Sequence, residues 1–154
     1  GNDLATFLEA ADRLPQPWAV DIAIQVLNAL KAVHAKGVIH RDLKPANIFL
    51  VSRPDGHMMV KLLDFGISRL KHEKKQIRDL TRTGAVLGTP HYMPPEQARG
   101  ARDIDHRADL YSAGVILYRL LTGSFPFDAE DYNNLIIDIT TGEPVQTGWH
   151  SRRT

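Results

Sequence analysis

From Ile39 to Leu50 the chain reads IHRDLKPANIFL. Between apolar flanks, residues 40–47 crowd two bases, an acid, an imidazole and a carboxamide together. This stretch constrains the fold more tightly than any other. Its flanks gain by entering a core, but the charges cannot follow without partners, because burying an unpaired charge is very costly. The stretch lies just beyond a short strand and reads as a loop that Pro45 stiffens. On that loop Asp42 and Asn47 lie five residues apart, and a further carboxylate, Asp64, follows another apolar run. In such a set one acid can take a proton from a nucleophile, while a carboxylate and a carboxamide oxygen suit a hard cation such as Mg²⁺. Lys44 sets a mobile positive charge two residues from Asp42, where it can neutralise a phosphoryl group in transfer.

The rest of the chain predicts a mainly helical frame around this loop. Asp3 can cap a short helix over residues 4–11 that ends near Pro15. Pro17 suits the first turn of a second helix, and Gly37 suits its end in a left-handed conformation. Along it Val20, Ala23, Ile24, Leu27, Leu30, Lys31 and His34 recur at helical spacing. Ala19, Ile22, Val26, Ala29 and Val33 widen the apolar face, so this helix is expected to pack on several sides. Residues 38–39, 48–51 and 58–63 read as short strands, the last two joined across a Pro-Asp-Gly turn. Residues 67–87 lack periodicity, carry an excess of Lys and Arg, and read as a long basic loop. An apolar helix follows over residues 109–121, closed by Gly123. Asp128 is expected to cap a last amphipathic helix reaching about Thr140. Trp18, Tyr111 and Tyr118 read as core residues.

Bulk properties exclude several functional classes. With 43% apolar and 24% charged residues, the 154-residue chain has the composition of an ordinary globular domain. A net charge of +1 gives no footing for nucleic acid or an anionic membrane surface. The absence of cysteine removes disulfides and thiolate metal sites. No apolar run is long enough to span a membrane and no export signal opens the chain, so a cytoplasmic location is the expectation, with membrane anchoring of a longer parent left open.

Four motifs, in register, resemble one known family. His40-Arg41-Asp42-Leu43-Lys44-Pro45-Ala46-Asn47 resembles the catalytic loop of protein kinases, and Asp64-Phe65-Gly66 resembles their metal-binding motif. Residues 88–96, Gly-Thr-Pro-His-Tyr-Met-Pro-Pro-Glu, resemble the substrate-docking segment that closes the activation loop. Asp109 to Gly114 resembles the buried-helix signature Asp-x-x-Ser-x-Gly. Lys44 and Thr89 look like those of a serine/threonine kinase, and the phrasing of residues 88–100 is similar to bacterial, eukaryotic-like (Hanks-type) members.

The resemblance implies a protein-kinase-like α+β fold: a mainly α-helical large lobe with short β-hairpin elements. It implies Asp42 and Lys44 as catalytic residues, with Asp42 deprotonating a protein hydroxyl and Lys44 meeting the γ-phosphate of ATP. Asn47 and Asp64 are the implied Mg²⁺ ligands, and Phe49 the implied floor beneath adenine. Arg41 is expected to face a phosphorylated activation-loop residue, with Thr81 and Thr83 the candidates and Thr89 in the docking segment. His40 and Phe65 match two members of the apolar stack that joins the lobes of an active kinase. Asp109 and Glu96 are expected to be structural, Asp109 holding the backbone of the catalytic loop. ATP and protein substrates are the implied partners, with no nucleic acid and no membrane segment in this chain.

The resemblance covers residues 1–146, a partial kinase domain, and leaves residues 147–154 as an off-pattern tail. Nothing in the chain matches the Gly-rich phosphate loop or the Val-Ala-Ile-Lys strand of the small N-terminal lobe, which is expected to be absent. The family's late arginine that pairs with the glutamate at the place of Glu96 has no match either. A buried Glu96 would then be an unpaired charge, costing several kcal/mol. The reading is therefore a serine/threonine kinase fragment of low activity alone. The alternatives are a catalytically inactive kinase-lobe binding module or a truncated, non-functional fragment.

Overall fold

A computed structural model of the protein describes residues 1–65 and 90–142. Gly66, the predicted basic loop, Thr81, Thr83, Thr89 and the tail from residue 147 lie outside the described residues. Among those described there are five α-helices and a three-stranded antiparallel sheet, an α+β arrangement that is mainly helical.

Strand β1 (Asn2–Asp3) leads directly into helix α1 (Leu4–Ala10). As expected, Asp3 caps this helix by accepting from the Thr6 amide at 2.9 Å. That bond, and the Thr6 hydroxyl, hold the Asp3 carboxyl below its ordinary range. Helix α2 (Gln16–His34) begins with Pro17 in its first turn, where the missing N–H costs nothing. It ends before Gly37, which takes the left-handed conformation with φ 71°.

The face that α2 buries is Ala19, Ile22, Val26 and Leu30, one stripe at helical spacing laid against the sheet and the long helix described next. Packing on several sides is not found. Trp18, Val20, Ile24 and Leu27 are all exposed, Trp18 by 53%. A helix buries only the faces that meet neighbours, here the sheet and the long helix, so the wide apolar circumference overstated its burial among the described residues.

Strands β2 (Ile48–Ser52) and β3 (Met58–Leu62) form the expected hairpin, in register from Ile48↔Leu62 to Ser52↔Met58. Its turn is closed by the Arg53 amide donating to the His57 carbonyl at 2.8 Å. β1 adds to the other side of β2, pairing Asn2 with Leu50 and Asp3 with Phe49, a pairing too short to show as sequence alternation. Residues 38–39, expected as a strand, join no ladder among the described residues. The outer edge of β3 is met by a side chain: Gln25 of α2 donates Nε2 to the Met58 carbonyl and accepts from the Val60 amide. One carboxamide thereby supplies the donor and acceptor that a further strand would.

After a short helix α3 (Pro95–Ala98) the chain enters α4 (Arg107–Thr122), the helix that organises everything else. Val115, Ile116 and Leu120 join Ile22, Val26 and Leu30 in the core, each fully buried aliphatic contributing about 1.5–3 kcal/mol. Gly123 ends the helix with φ 78°, and a Cβ there would lie 2.9 Å from the Asp12 carbonyl oxygen, so both conformation and space demand glycine. The last helix, α5, spans Tyr132–Thr141. Its cap is Asp131, which accepts from the Asn134 amide at 3.0 Å, and not Asp128. Asp128 lies one turn too early and instead bonds His91 Nε2 at 3.1 Å.

Candidate active site

The crowded loop sorts its residues by alternation of burial. His40, Leu43, Pro45 and Asn47 point inward, whereas Arg41, Asp42 and Ala46 are exposed and Lys44 is half-buried. The apolar and hydrogen-bonding residues thus pin the loop while the charges face outward. A single 3₁₀ turn over Pro45–Asn47 delivers the chain into β2.

The exposed carboxylate of Asp42 is the centre of the site. Lys44 Nζ donates to its Oδ2 at 2.9 Å. Asn47 Nδ2 donates to the Asp42 carbonyl at 2.8 Å and reaches Oδ2 at 3.4 Å. The Lys44–Asp42 pair is open to solvent, and such pairs contribute about 0–1 kcal/mol. Lys44 can therefore leave Asp42 for a stronger anion at little cost. Asn47 is fixed: its amide nitrogen is committed to the loop, which leaves the amide oxygen to serve as an acceptor.

Asp64 is brought in through its neighbour Leu63. The Leu63 amide donates to the Asn47 carbonyl at 2.9 Å, and the Leu63 carbonyl accepts from His40 Nε2 at 2.9 Å. One residue thereby ties the segment holding Asp64 to both ends of the catalytic loop. His40 is a satisfied, wholly buried histidine, as expected, and its ring lies 4.9 Å from that of Phe65. Phe49 is half-buried on the face of β2 opposite Ile48 and Leu50.

Arg41 and Asp64 are the two non-glycine residues with positive φ among those described, at 65° and 54°. Left-handed backbone at such residues costs on the order of 1–3 kcal/mol and persists only where surroundings enforce it. For Arg41 the enforcement is visible. Its amide donates to Asp109 Oδ1 at 2.8 Å, and its carbonyl accepts from Gln97 Nε2 at 3.2 Å.

Asp109, in the first turn of α4, also accepts the His40 amide on Oδ2 at 2.8 Å and His34 Nε2 at 2.7 Å. It is 1% exposed, so its charge is met by three donors and by the N-terminal end of its own helix. One turn on, Ser112 Oγ bonds the Tyr92 carbonyl at 2.8 Å. The two polar residues of the Asp-x-x-Ser-x-Gly stretch therefore hold two different segments, the loop at His40-Arg41 and the turn at Tyr92. His34 and Gln97 were not singled out from the sequence, where they read as ordinary helix residues.

Among the described residues no three His, Cys, Asp or Glu side chains gather as a metal cage. The oxygen donors of Asn47 and Asp64 fit a cation that completes its shell with water or phosphate oxygens, which is the habit of Mg²⁺.

The sequence has relatives. Residues 1–150 match the protein kinase domain family. This chain belongs to that family. It is 46% identical over 144 residues to serine/threonine-protein kinase pkn3 of Myxococcus xanthus, covering 94% of this chain and 26% of that protein. It is 52% identical over 111 residues to Pkn1 of the same organism, covering 72% of this chain and 15% of the relative. A probable serine/threonine-protein kinase, PknB of Corynebacterium glutamicum, is 46% identical over 112 residues, or 73% of this chain and 16% of that protein. The bacterial, Hanks-type serine/threonine kinase resemblance read from the motifs is thus borne out. The kinase chain spans about a quarter or less of these relatives' lengths. No helix among the described residues is long and apolar enough to cross a membrane.

Proposed function

We propose that these residues form the catalytic-loop and metal-binding side of a serine/threonine kinase large lobe, in a protein that transfers the γ-phosphoryl of ATP to protein hydroxyls. The observation carrying this is the convergence of Lys44 and Asn47 on the Asp42 carboxylate, with Asp64 tied to the same loop through Leu63. Asp42, exposed and acceptor-only, receives the proton of a serine or threonine hydroxyl. Lys44, weakly held, moves its ammonium to the γ-phosphate. Asn47 Oδ1 and an Asp64 carboxylate oxygen would hold Mg²⁺. When bound, it would supply positive charge against the negative charge that develops in transfer. Phe49 lies under the adenine ring, and the exposed Arg41 meets an activation-loop phosphate, with Thr81 and Thr83 as its candidate sites and Thr89 beside the substrate. A cytoplasmic location fits an enzyme that draws on ATP.

The 154 residues contain no Gly-rich phosphate loop and no Val-Ala-Ile-Lys strand. Phosphoryl transfer rests on positioning and charge stabilisation, so activity belongs to the whole protein and this chain alone binds Mg-ATP only weakly. Titration calorimetry of Mg-ATP into the folded chain, with Asp64→Ala as control, tests this reading. Heat that disappears with Asp64→Ala and with EDTA supports it. A chain shown to be folded by circular dichroism that gives no heat at millimolar Mg-ATP overturns the assignment of Asn47 and Asp64.

A further inference from the structure

We propose that Phe125 is a positioning residue for the protein substrate: its ring ties His91 and Tyr92, in the segment read as substrate-docking, to the connector between α4 and α5. The inference rests on the kinase reading above and deepens it.

Three side chains meet the Phe125 ring. His91 stacks on it, with ring centroids 4.1 Å apart and planes inclined by 26°. Tyr92 meets it edge-on at 5.5 Å. Both arrangements are ones that aromatic quadrupoles favour. The Arg119 guanidinium carbon lies 5.4 Å from the ring centroid, within the roughly 6 Å over which a cation is drawn to an aromatic face. Arg119 is itself anchored: it stands in the last turn of α4, and its Nη1 donates to the Asp12 carbonyl at 3.2 Å. The ring is thus referred to the helical frame on one side and to the docking segment on the other.

The same connector supplies a second hold on His91. Asp128, three residues after Phe125, takes His91 Nε2 at 3.1 Å. A carboxylate can only accept, so the proton of this bond resides on Nε2. Ser112 fixes the Tyr92 carbonyl, but the His91 side chain is oriented by a ring and a carboxylate that arrive together. None of these contacts involves Asp42, Lys44, Asn47 or Asp64. Loosening them should therefore shift the surface that receives the protein substrate and leave the phosphate side in place. Leucine at position 125 keeps apolar bulk but offers no face to the imidazole or the guanidinium, whereas tyrosine keeps the face.

The test uses Phe125→Leu, Phe125→Tyr, His91→Leu and the Phe125→Leu/His91→Leu double variant in the whole protein, with steady-state kinetics on Mg-ATP and a serine-containing protein substrate. KM for the protein substrate should rise roughly fivefold in Phe125→Leu, the loss expected of one well-formed aromatic contact. KM for Mg-ATP and kcat should stay within about twofold, because binding of one substrate is lost and not the chemical step. Phe125→Tyr should recover most of the loss, and the double variant should lose little more than either single one, since both remove the same contact. Amide hydrogen exchange in the 154-residue chain is the second readout. The Met93 amide, which donates to the Pro90 carbonyl at 2.9 Å, should exchange roughly fivefold faster in Phe125→Leu but not in Phe125→Tyr, while amides in the middle of α2 keep their protection. An unchanged KM for the protein substrate, an equal rise for Mg-ATP, losses that multiply in the double variant, or Met93 exchange that ignores the substitution each overturns the proposal. If the whole protein transfers no phosphoryl group, the kinase reading fails, and Met93 exchange still decides whether Phe125 holds this segment.

Discussion

Helix α4 touches two functional segments, and it treats them differently. On the catalytic-loop side its Asp109 is buried to 1% exposure, carries three hydrogen bonds and holds a strained residue in place. On the docking side Ser112 makes one bond to the Tyr92 carbonyl. Among the described residues, three buried polar atoms find no partner: His91 Nδ1, the Tyr111 hydroxyl, and Gln97 Oε1, whose side chain serves the Arg41 carbonyl through Nε2. Glu96 belongs to this second side. It is half-buried, at the edge of a cavity of about 460 Å³ shared with Asp103, Asp105 and Arg107. The several-kcal/mol penalty of a fully buried lone charge does not arise there. Arg107 lies in the same cavity, its guanidinium held above its ordinary value mainly by Asp105 and only slightly by Glu96.

The difference teaches where preorganisation resides. The backbone amides of His40 and Arg41, next to Asp42, are satisfied within the chain. The other side keeps polar groups that are unmet among the described residues.

Substitutions on the two sides should therefore differ in size. The largest effect is expected for Asp109→Leu, which strands the His40 and Arg41 amides. A loss of about 3–5 kcal/mol should appear in urea denaturation; a loss below 1 kcal/mol would erase the contrast between the sides. Ser112→Ala should cost about 1 kcal/mol by the same measurement, because its hydroxyl makes one neutral bond to the docking segment. An effect equal to that of Asp109→Leu would show both sides held alike. Tyr111→Phe removes a buried hydroxyl without a partner and should leave stability unchanged or raise it by up to about 1 kcal/mol. Destabilisation of that size would instead reveal a partner for the hydroxyl. The smallest effect is confined to alkaline pH. Burial pushes the Tyr92 phenol up from 10.0 to about 12, so the folded protein keeps a proton that the unfolded chain releases. That contribution is complete below pH 10 and is lost between pH 10 and 12, and Tyr92→Phe should flatten this part of the stability profile. A mutant with the same alkaline loss would place its origin elsewhere.

The site was more legible in the sequence than the packing around it. Asp42, Lys44 and Asn47 lie within one turn-forming stretch, so chain connectivity alone brings them within bonding distance. The caps at Asp3 and Gly123 and the β2–β3 hairpin are likewise local, fixed by side-chain chemistry a few residues away. The cap of α5 was misread because Asp128 and Asp131 are equally good cap residues three positions apart, and His91, distant in sequence, claims the first.

What the sequence by itself determined is the set of groups offered for chemistry and the short-range elements that present them, because both depend on neighbours along the chain. Tertiary structure alone decided which face of α2 is buried, that Glu96 stays half-exposed, and that His34, Gln97 and Asp109 meet around Arg41. Those contacts join residues up to 75 positions apart. Their energies depend on burial and on the full complement of hydrogen-bond donors, which no local pattern records.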